Sequence, residues 1–345
     1  MKLLLFTQAL DTNDPVLSAY HRLVAAIAGG FDHVTAVCLK KGACDLPKNV
    51  TALSLGKEEG GDRFVARLRY VWRFYTYIFS TAGDYDAVFV HMNQEYVILG
   101  GIFWKLMGKR VYMWRNHHAG THITDLAAAF CTNVFCTSKL SYTAKYRKTI
   151  LMPVGVDATM FRPVQGVVRA PRSIIFLARM APVKKPDVLV EALGILKDEG
   201  GAFTASFYGD PLPKDAAYYA SLKEKAAGIA KFYPGMPNDQ TPKAYSAHDI
   251  CVNLSSSGMY DKTIFEAMMC EALSVSSNAN LEGVLDERLL FKEGDAVDLA
   301  RALSVLLALS PAEKDALRAA SRRYAEENHS LASLSKKLSD IISAS

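Results

Sequence analysis

Short apolar runs rich in β-branched and aromatic residues recur along the whole chain. In the first half they fall at 3–6, 33–39, 50–55, 87–91, 110–114 and 134–137. In the second half they fall at 173–177, 202–208, 229–232, 250–254 and 273–276, separated by helical patterns near 186–199, 215–226, 262–271, 296–309 and 311–327. Near-continuous apolar strands that alternate with helices predict mostly parallel sheets covered by helices on both faces. Residues 161–172 break the pattern, with Pro163 and Pro171 bounding a stretch of no clear period, and read as an interdomain linker.

A chain of 345 residues exceeds what one core usually organises, so two domains of about 150 residues each are expected. The expected boundaries are 1–165, 166–328 and a last helix in 329–345 that returns to the N-terminal domain. With 50% hydrophobic and 22% charged residues, the composition is that of a globular protein and excludes a disordered one. The charge is uneven: residues 1–165 hold 19 Lys/Arg and 12 Asp/Glu (+7), and residues 166–345 hold 21 and 23 (−2). The basic half is the one expected to face an anionic or membrane-bound partner.

Six cysteines occur without a CxxC, which suits buried thiols in a reducing compartment. The N-terminal run reads as a buried strand and not as a signal peptide. The apolar stretch 96–107 contains Lys105 and is far short of the roughly 20 residues that cross a bilayer. Residues 63–79 form an amphipathic basic pattern. Phe64, Leu68, Val71, Tyr75 and Ile78 make one face, and Arg63, Arg69 and Arg73 the other, with Tyr70, Phe74 and Tyr77 also turned outward. A helix packed on its sheet and a membrane-facing helix both account for it.

The densest chemistry lies in Ile174-Ile175-Phe176-Leu177-Ala178-Arg179-Met180-Ala181-Pro182-Val183-Lys184-Lys185-Pro186-Asp187. A strand delivers Arg179 and Lys184 into the loop at its C-terminal end, where open α/β sheets bind ligands. Two cations there suit a diphosphate, with an ordinary basic loop as the alternative. Further on, Ser255-Ser256-Ser257-Gly258-Met259-Tyr260-Asp261-Lys262-Thr263 opens a helix that carries Glu266. Small residues and free amides at a helix start make a phosphate site.

With Val154-Gly155-Val156-Asp157 followed by Phe161 and Pro163, with Phe207-Tyr208-Gly209-Asp210, with Tyr245-Ser246-Ala247-His248-Asp249, and with Phe265-Glu266-Ala267-Met268, the chain resembles the retaining glycosyltransferases of family 4, also called group 1. The resemblance implies an α/β GT-B fold, two Rossmann-like domains facing a central cleft. It puts Arg179 and Lys184 on the donor diphosphate and Glu266 on the ribose, and His117 near the donor sugar. Gly258, Met259, Asp261, Lys262, Thr263, Gly209 and Met236 complete the implied donor side. Ala178 and Lys185 stand where the family has glycines, and Gly258 where it has a first glutamate. Asp261 is then either a substitute for that carboxylate or a helix cap. The N-terminal Gly-Gly loop of the family is replaced by residues 11–22, where Asp14 and His21, with His118, are acceptor-side candidates.

The resemblance further implies transfer of a hexosyl unit, with retention, from a nucleoside diphosphate sugar of UDP or GDP type to an acceptor hydroxyl in glycan, glycolipid or polysaccharide synthesis. The sugar nucleotide is a substrate, so no cofactor is expected, and no metal. A sugar-nucleotide epimerase or hydrolase of the same fold, or a non-catalytic binding homologue, is the alternative. The partners expected are the nucleotide-sugar donor and a glycan or lipid-linked acceptor, with peripheral membrane contact through the N-terminal domain and no nucleic acid. The place expected is the cytoplasm, or the inner face of the membrane.

Overall fold

A computed structural model describes residues 1–14 and 17–344. They divide into two compact units, Met1–Gly155 with Leu331–Ser345 (unit 1) and Val156–Ser330 (unit 2).

Unit 1 runs β1 (Lys2–Leu10), α1 (Ala19–Ala28), β2 (His33–Lys41), β3 (Val50–Ser54), α2 (Arg63–Ser80), β4 (Ala87–His91), α3 (Gln94–Leu106), β5 (Arg110–Trp114), α4 (His122–Phe130), β6 (Asn133–Cys136) and β7 (Thr149–Leu151). Among the described residues the strands form one parallel sheet in the order β3-β2-β1-β4-β5-β6-β7. Both faces are buried, so side chains alternate between two cores, and β1 shows the division. Leu3 and Leu5 pack with Leu23 and Ile27 of α1, whereas Leu4 and Phe6 pack with Phe74 and Ile78 of α2 and Trp104 of α3. That is why the strand reads as unbroken apolar sequence instead of alternating.

Unit 2 runs β8 (Ala170–Leu177), α5 (Pro186–Asp198), β9 (Thr204–Tyr208), α6 (Ala216–Lys225), β10 (Lys231–Tyr233), α7 (Thr241–Ala247), β11 (His248–Asn253), α8 (Lys262–Met269), β12 (Leu273–Ser276), α9 (Ala296–Ala308) and α10 (Pro311–His329). Its parallel sheet has the order β10-β9-β8-β11-β12. Leu189 and Leu193 of α5, Leu222 of α6 and Leu299 and Leu303 of α9 share one core with Ile174, Phe176 and Phe207. α8 packs on α7, α10, β11 and β12. The last helix, α11 (Leu331–Ala344), joins unit 1, where Leu334, Leu338 and Ile342 enter the core beside α1.

Three expectations are corrected. The units part at 155/156 and not at 165/166: Val156 bridges to Ser330, Phe161 is buried, and the Val164 N–H donates to Ser246 Oγ at 3.1 Å. The stretch read as a linker therefore lines unit 2. The break before the last helix falls at 330/331, because α10 continues through His329. On α2 the two faces are partly exchanged: Phe74 is buried and Arg69 and Arg73 turn toward Glu59, while Ile78 is buried and Arg63 exposed as the pattern predicts. Phe64, Leu68 and Val71 face solvent. Period alone identifies a stripe, and the helix has two, one packed on the sheet and one not. β7 leaves no mark in the pattern, because three residues give no period.

The six cysteines are unpaired and all but Cys44 are buried, and burial pushes the Cys38, Cys131 and Cys270 thiols up to about 12. The five buried ones are packing residues, not nucleophiles. No helix among the described residues is long and apolar enough to cross a membrane.

Candidate functional site

In unit 2 the chain leaves β8 toward β9 and leaves β11 toward β12, and β8 and β11 lie side by side. That is the topological switch point, where adjacent connections diverge and their loops leave a crevice at the carboxyl ends of the strands. The two loops concerned are 178–185 and 254–261. Across them Lys184 pairs with Asp261, whose Oδ2 also accepts from Ser255 Oγ at 2.8 Å. The other oxygen, Oδ1, accepts from the Thr263 N–H at 3.2 Å and Thr263 Oγ1 at 3.1 Å, so Asp261 is the N-cap of α8. Asn253 at the end of β11 fixes Thr263 in turn, Nδ2 to Oγ1, at 2.9 Å. Burial pushes the Asp261 carboxyl up, but Lys184 and the hydroxyl and amide donors outweigh it and hold it below its ordinary range.

Asp261 thus has two local tasks: it caps the helix and holds Lys184. Arg179 is exposed, and its side chain makes no hydrogen bond or ion pair among the described residues. Glu266 lies one turn inside α8, only 7% exposed, and accepts from Tyr245 Oη at 3.4 Å. Tyr245 is itself fully buried, and burial followed by the Glu266 charge raises its phenol well above the ordinary value. A carboxylate kept in such surroundings is not a solvated helix residue.

A second tie holds the same loops. Lys185 adopts φ 52°, a left-handed conformation that a side chain disfavours, which explains a glycine preference at that place. Its Nζ lies 2.7 Å from Glu293 Oε1, and Glu293 Oε2 accepts from Ser257 Oγ at 3.3 Å. Burial pushes the Glu293 carboxyl up, and Lys185 with Ser256 and Ser257 brings it to a net position below the ordinary range. Asn280 Nδ2 donates to the Ser257 carbonyl at 2.7 Å and Asn278 Nδ2 to the Met259 carbonyl at 2.9 Å. The segment from Ser255 to Lys262, Gly258 included, is therefore held from several sides. Glu293 lies far along the chain from either loop, and nothing in the sequence marks it beyond its acidic character before a helix.

Gly209 has φ 149°, and a Cβ there would meet the Ala178 carbonyl oxygen at 1.9 Å. Its need is the close approach of the β9 and β8 exits, which sets the base of the Arg179 loop. Met236 lines a pocket of about 630 Å³ along α7 with Tyr208, Lys243 and His248, and none of its lining residues comes from the two switch-point loops.

In unit 1 the switch point lies between β1 and β4. Asp14 follows β1, with Oδ1 accepting the Leu17 N–H at 2.9 Å and Oδ2 at 3.5 Å from Lys40. Pro15 and Val16 of that loop lie outside the described residues. His21 Nε2 accepts the Asp45 N–H at 3.1 Å, tying α1 to the loop before β3. His117 and His118 follow β5, exposed and stacked at 4.4 Å, with the Ala119 N–H donating to His117 Nδ1 at 3.0 Å. His91, which ends β4, reads in sequence as a plain strand residue. It is buried at the switch point with Tyr20 edge-on at 4.7 Å.

Residues 171–308, which span both switch-point loops of unit 2, match the family model for glycosyl transferases group 1. Among curated proteins, the D-inositol 3-phosphate glycosyltransferase of Geodermatophilus obscurus is 26% identical over 207 residues, 53% of this chain and 45% of that protein. The one from Rhodococcus opacus is 29% identical over 204 residues, 54% and 46% of the two chains. The matches thus span about half the length of these relatives. Among solved structures, Anabaena HepE in complex with UDP and glucose superposes with a TM-score of 0.75 at 17% identity, covering 100% of both chains. Sucrose-phosphate synthase from Thermosynechococcus elongatus gives 0.79 at 16% identity, covering 100% of this chain and 98% of that one. These likenesses show the fold, two Rossmann-like α/β units with parallel sheets as in GT-B glycosyltransferases. The family match and the curated relatives point to the same enzyme class.

Proposed function

We propose that the chain is a glycosyltransferase that moves a hexosyl unit from a nucleoside diphosphate sugar to an acceptor hydroxyl, with retention at the anomeric carbon. The observation that carries the reading is the cationic switch point of unit 2, with Lys184 set against the N-terminus of α8 through Asp261 and Arg179 exposed in the same loop. There the two cations and the helix amides stabilise the negative charge that develops on the departing diphosphate. Glu266 accepts the ribose hydroxyls, and Gly258, Met259, Lys262 and Thr263 bring backbone close to the phosphates.

In this reading the acceptor oxygen bonds to the anomeric carbon on the face the diphosphate leaves, and the departing phosphate oxygen takes the acceptor proton. No separate protein base is then required. His117 hydrogen-bonds the transferred sugar, and Asp14, His21 and His118 serve the acceptor side. HepE in complex with UDP-glucose and UDP supports a uridine donor, with GDP as the second choice. The inositol phosphate glycosyltransferases among the relatives, and the lipopolysaccharide enzymes WaaG and WaaB among the structures, support a polyol, glycan or lipid-linked acceptor.

A thermal-shift panel of UDP-, GDP- and ADP-sugars tests the donor, since a ligand at 100 times its Kd stabilises by about 2.7 kcal/mol. Product analysis on the stabilising donor then separates the readings. A glycoside of retained configuration supports transfer, a hydrolysed or epimerised donor the rival enzymes, and binding without product a non-catalytic protein.

A further inference from the structure

α2 has two apolar faces, and the sheet uses only one. Phe74 and Ile78 pack inward, while Phe64 is 69% and Trp72 67% exposed, with Leu68 and Phe79 exposed on the same stripe. The positions 64, 68, 72, 75 and 79 follow a helical period, so the stripe is continuous. It runs onto α3, where Phe103 meets Tyr75 at 5.6 Å and Phe79 at 5.4 Å. Beyond Phe103, Ile102 and Leu106 of α3 also face solvent, Leu106 at 80%. Large side chains exposed together across two packed helices are not ordinary surface.

The charges beside this face are mainly basic, with Asp62 capping α2 and Glu95 in the first turn of α3 as the exposed acids on these helices. α2 contains no acidic residue, and Arg63 and Arg67 in its first turns are exposed beside the stripe, as is Lys105 on α3. Unit 1 as a whole holds 20 Lys/Arg and 12 Asp/Glu, a net +8. Arg69 and Arg73 take no part, because both turn toward Glu59 and Arg69 also donates to the Gly56 and Gly60 carbonyls. An aromatic and aliphatic ridge bordered by cations matches the interface of an anionic bilayer, in which apolar side chains enter the acyl boundary and cations meet lipid phosphates.

We propose that the α2–α3 face of unit 1, led by Phe64, Leu68, Trp72 and Leu106, inserts into the surface of an anionic membrane. This deepens the lipid-linked acceptor of the proposed function and rests on that reading for its purpose, whereas binding itself is measured without any donor. It also differs from a purely electrostatic contact, since the inserting groups are apolar.

Of the three tryptophans, Trp104 and Trp114 are buried and Trp72 alone is exposed, which gives the test its probe. Full-length protein is mixed with vesicles of phosphatidylcholine and phosphatidylglycerol, and with vesicles of phosphatidylcholine alone. The expected result is flotation with the first and a blue shift of tryptophan emission, the shift being lost in Trp72→Phe while flotation persists. Phe64→Ser, Leu68→Ser and Trp72→Ser together should abolish flotation with unchanged thermal unfolding and unchanged stabilisation by the donor nucleotide. Arg63→Glu with Arg67→Glu should weaken it and make the remainder insensitive to salt. Wild-type protein that ignores anionic vesicles at low salt overturns the proposal. So does flotation that survives the triple serine variant, or self-association that the triple variant breaks while vesicles are ignored. Wild-type protein that floats with anionic vesicles but is stabilised by no donor nucleotide would strike the transferase reading and leave the membrane face standing.

Discussion

Lys184 and Asp261 hold one another across the switch point of unit 2, so on the proposed reading a diphosphate would meet one paired cation and, in Arg179, one exposed cation without a partner among the described residues. The two should therefore fail differently. Arg179→Ala and Lys184→Ala are each expected to lower turnover on the order of 10²–10³-fold, the usual cost of losing a charge-stabilising group. Only Lys184→Ala should also lower the melting temperature, because it strands the Asp261 carboxylate. Near-normal turnover in both variants would move the donor site elsewhere. Glu293 acts through its neighbours: it fixes Lys185 and Ser257 and so the spacing of the two loops. Glu293→Gln should reduce kcat/KM for the donor on the order of tenfold, about 1.4 kcal/mol, mainly through KM. Stability should change by less than about 1 kcal/mol, as for a partly exposed pair. Unchanged donor kinetics would reduce the tie to a surface contact.

At the scale of elements, α8 carries the site on its N-terminal side and is held from the other by α10. His329, the last residue of α10, stacks on Phe265 of α8 at 3.9 Å and is only 7% exposed. Burial lowers its pKa from 6.5 to about 4, so the fold favours the neutral ring. The contribution is complete above pH 6.5 and is lost as the pH falls toward 4, where the unfolded chain binds a proton that the folded one resists. The loss summed between those values is on the order of 3 kcal/mol. Thermal unfolding from pH 7 to 4 should show this loss, and His329→Phe, which keeps an aromatic ring on Phe265, should flatten it. Parallel pH curves for the two proteins would assign acid sensitivity to other groups; Asp261, whose lowered pKa acts in the same direction, contributes only below its ordinary value of 3.8.

At the scale of the whole molecule, the last helix is out of order with respect to sequence: α11 follows unit 2 in the chain and belongs to the core of unit 1. Leu338 is 1% exposed there, packed with α1. Leu338→Ala should cost unit 1 about 2–5 kcal/mol, as buried leucine truncations do, with no direct effect on unit 2. Calorimetry in the presence and absence of a donor nucleotide reads this, since on the proposed reading the ligand should raise the transition of unit 2, whereas the substitution should lower that of unit 1. A single transition lowered as a whole would show that the two units unfold together.

The sequence by itself determined the α/β class, most strands, the two-unit organisation and the loops 178–185 and 254–261. These rest on short-range patterns: apolar runs buried on both faces, breakers at turns, and cations at a strand exit. Tertiary structure alone decided what depends on distant partners. It set the boundary at 155/156, through a bridge from Val156 to Ser330, and the faces of α2, through Glu59 drawing Arg69 and Arg73 inward. It likewise gave Asp261 its two tasks, and Glu293 its place beside Lys185 from 108 positions away. A residue's period places it on a face, but only the chain that packs against that face determines whether it is core, surface or site.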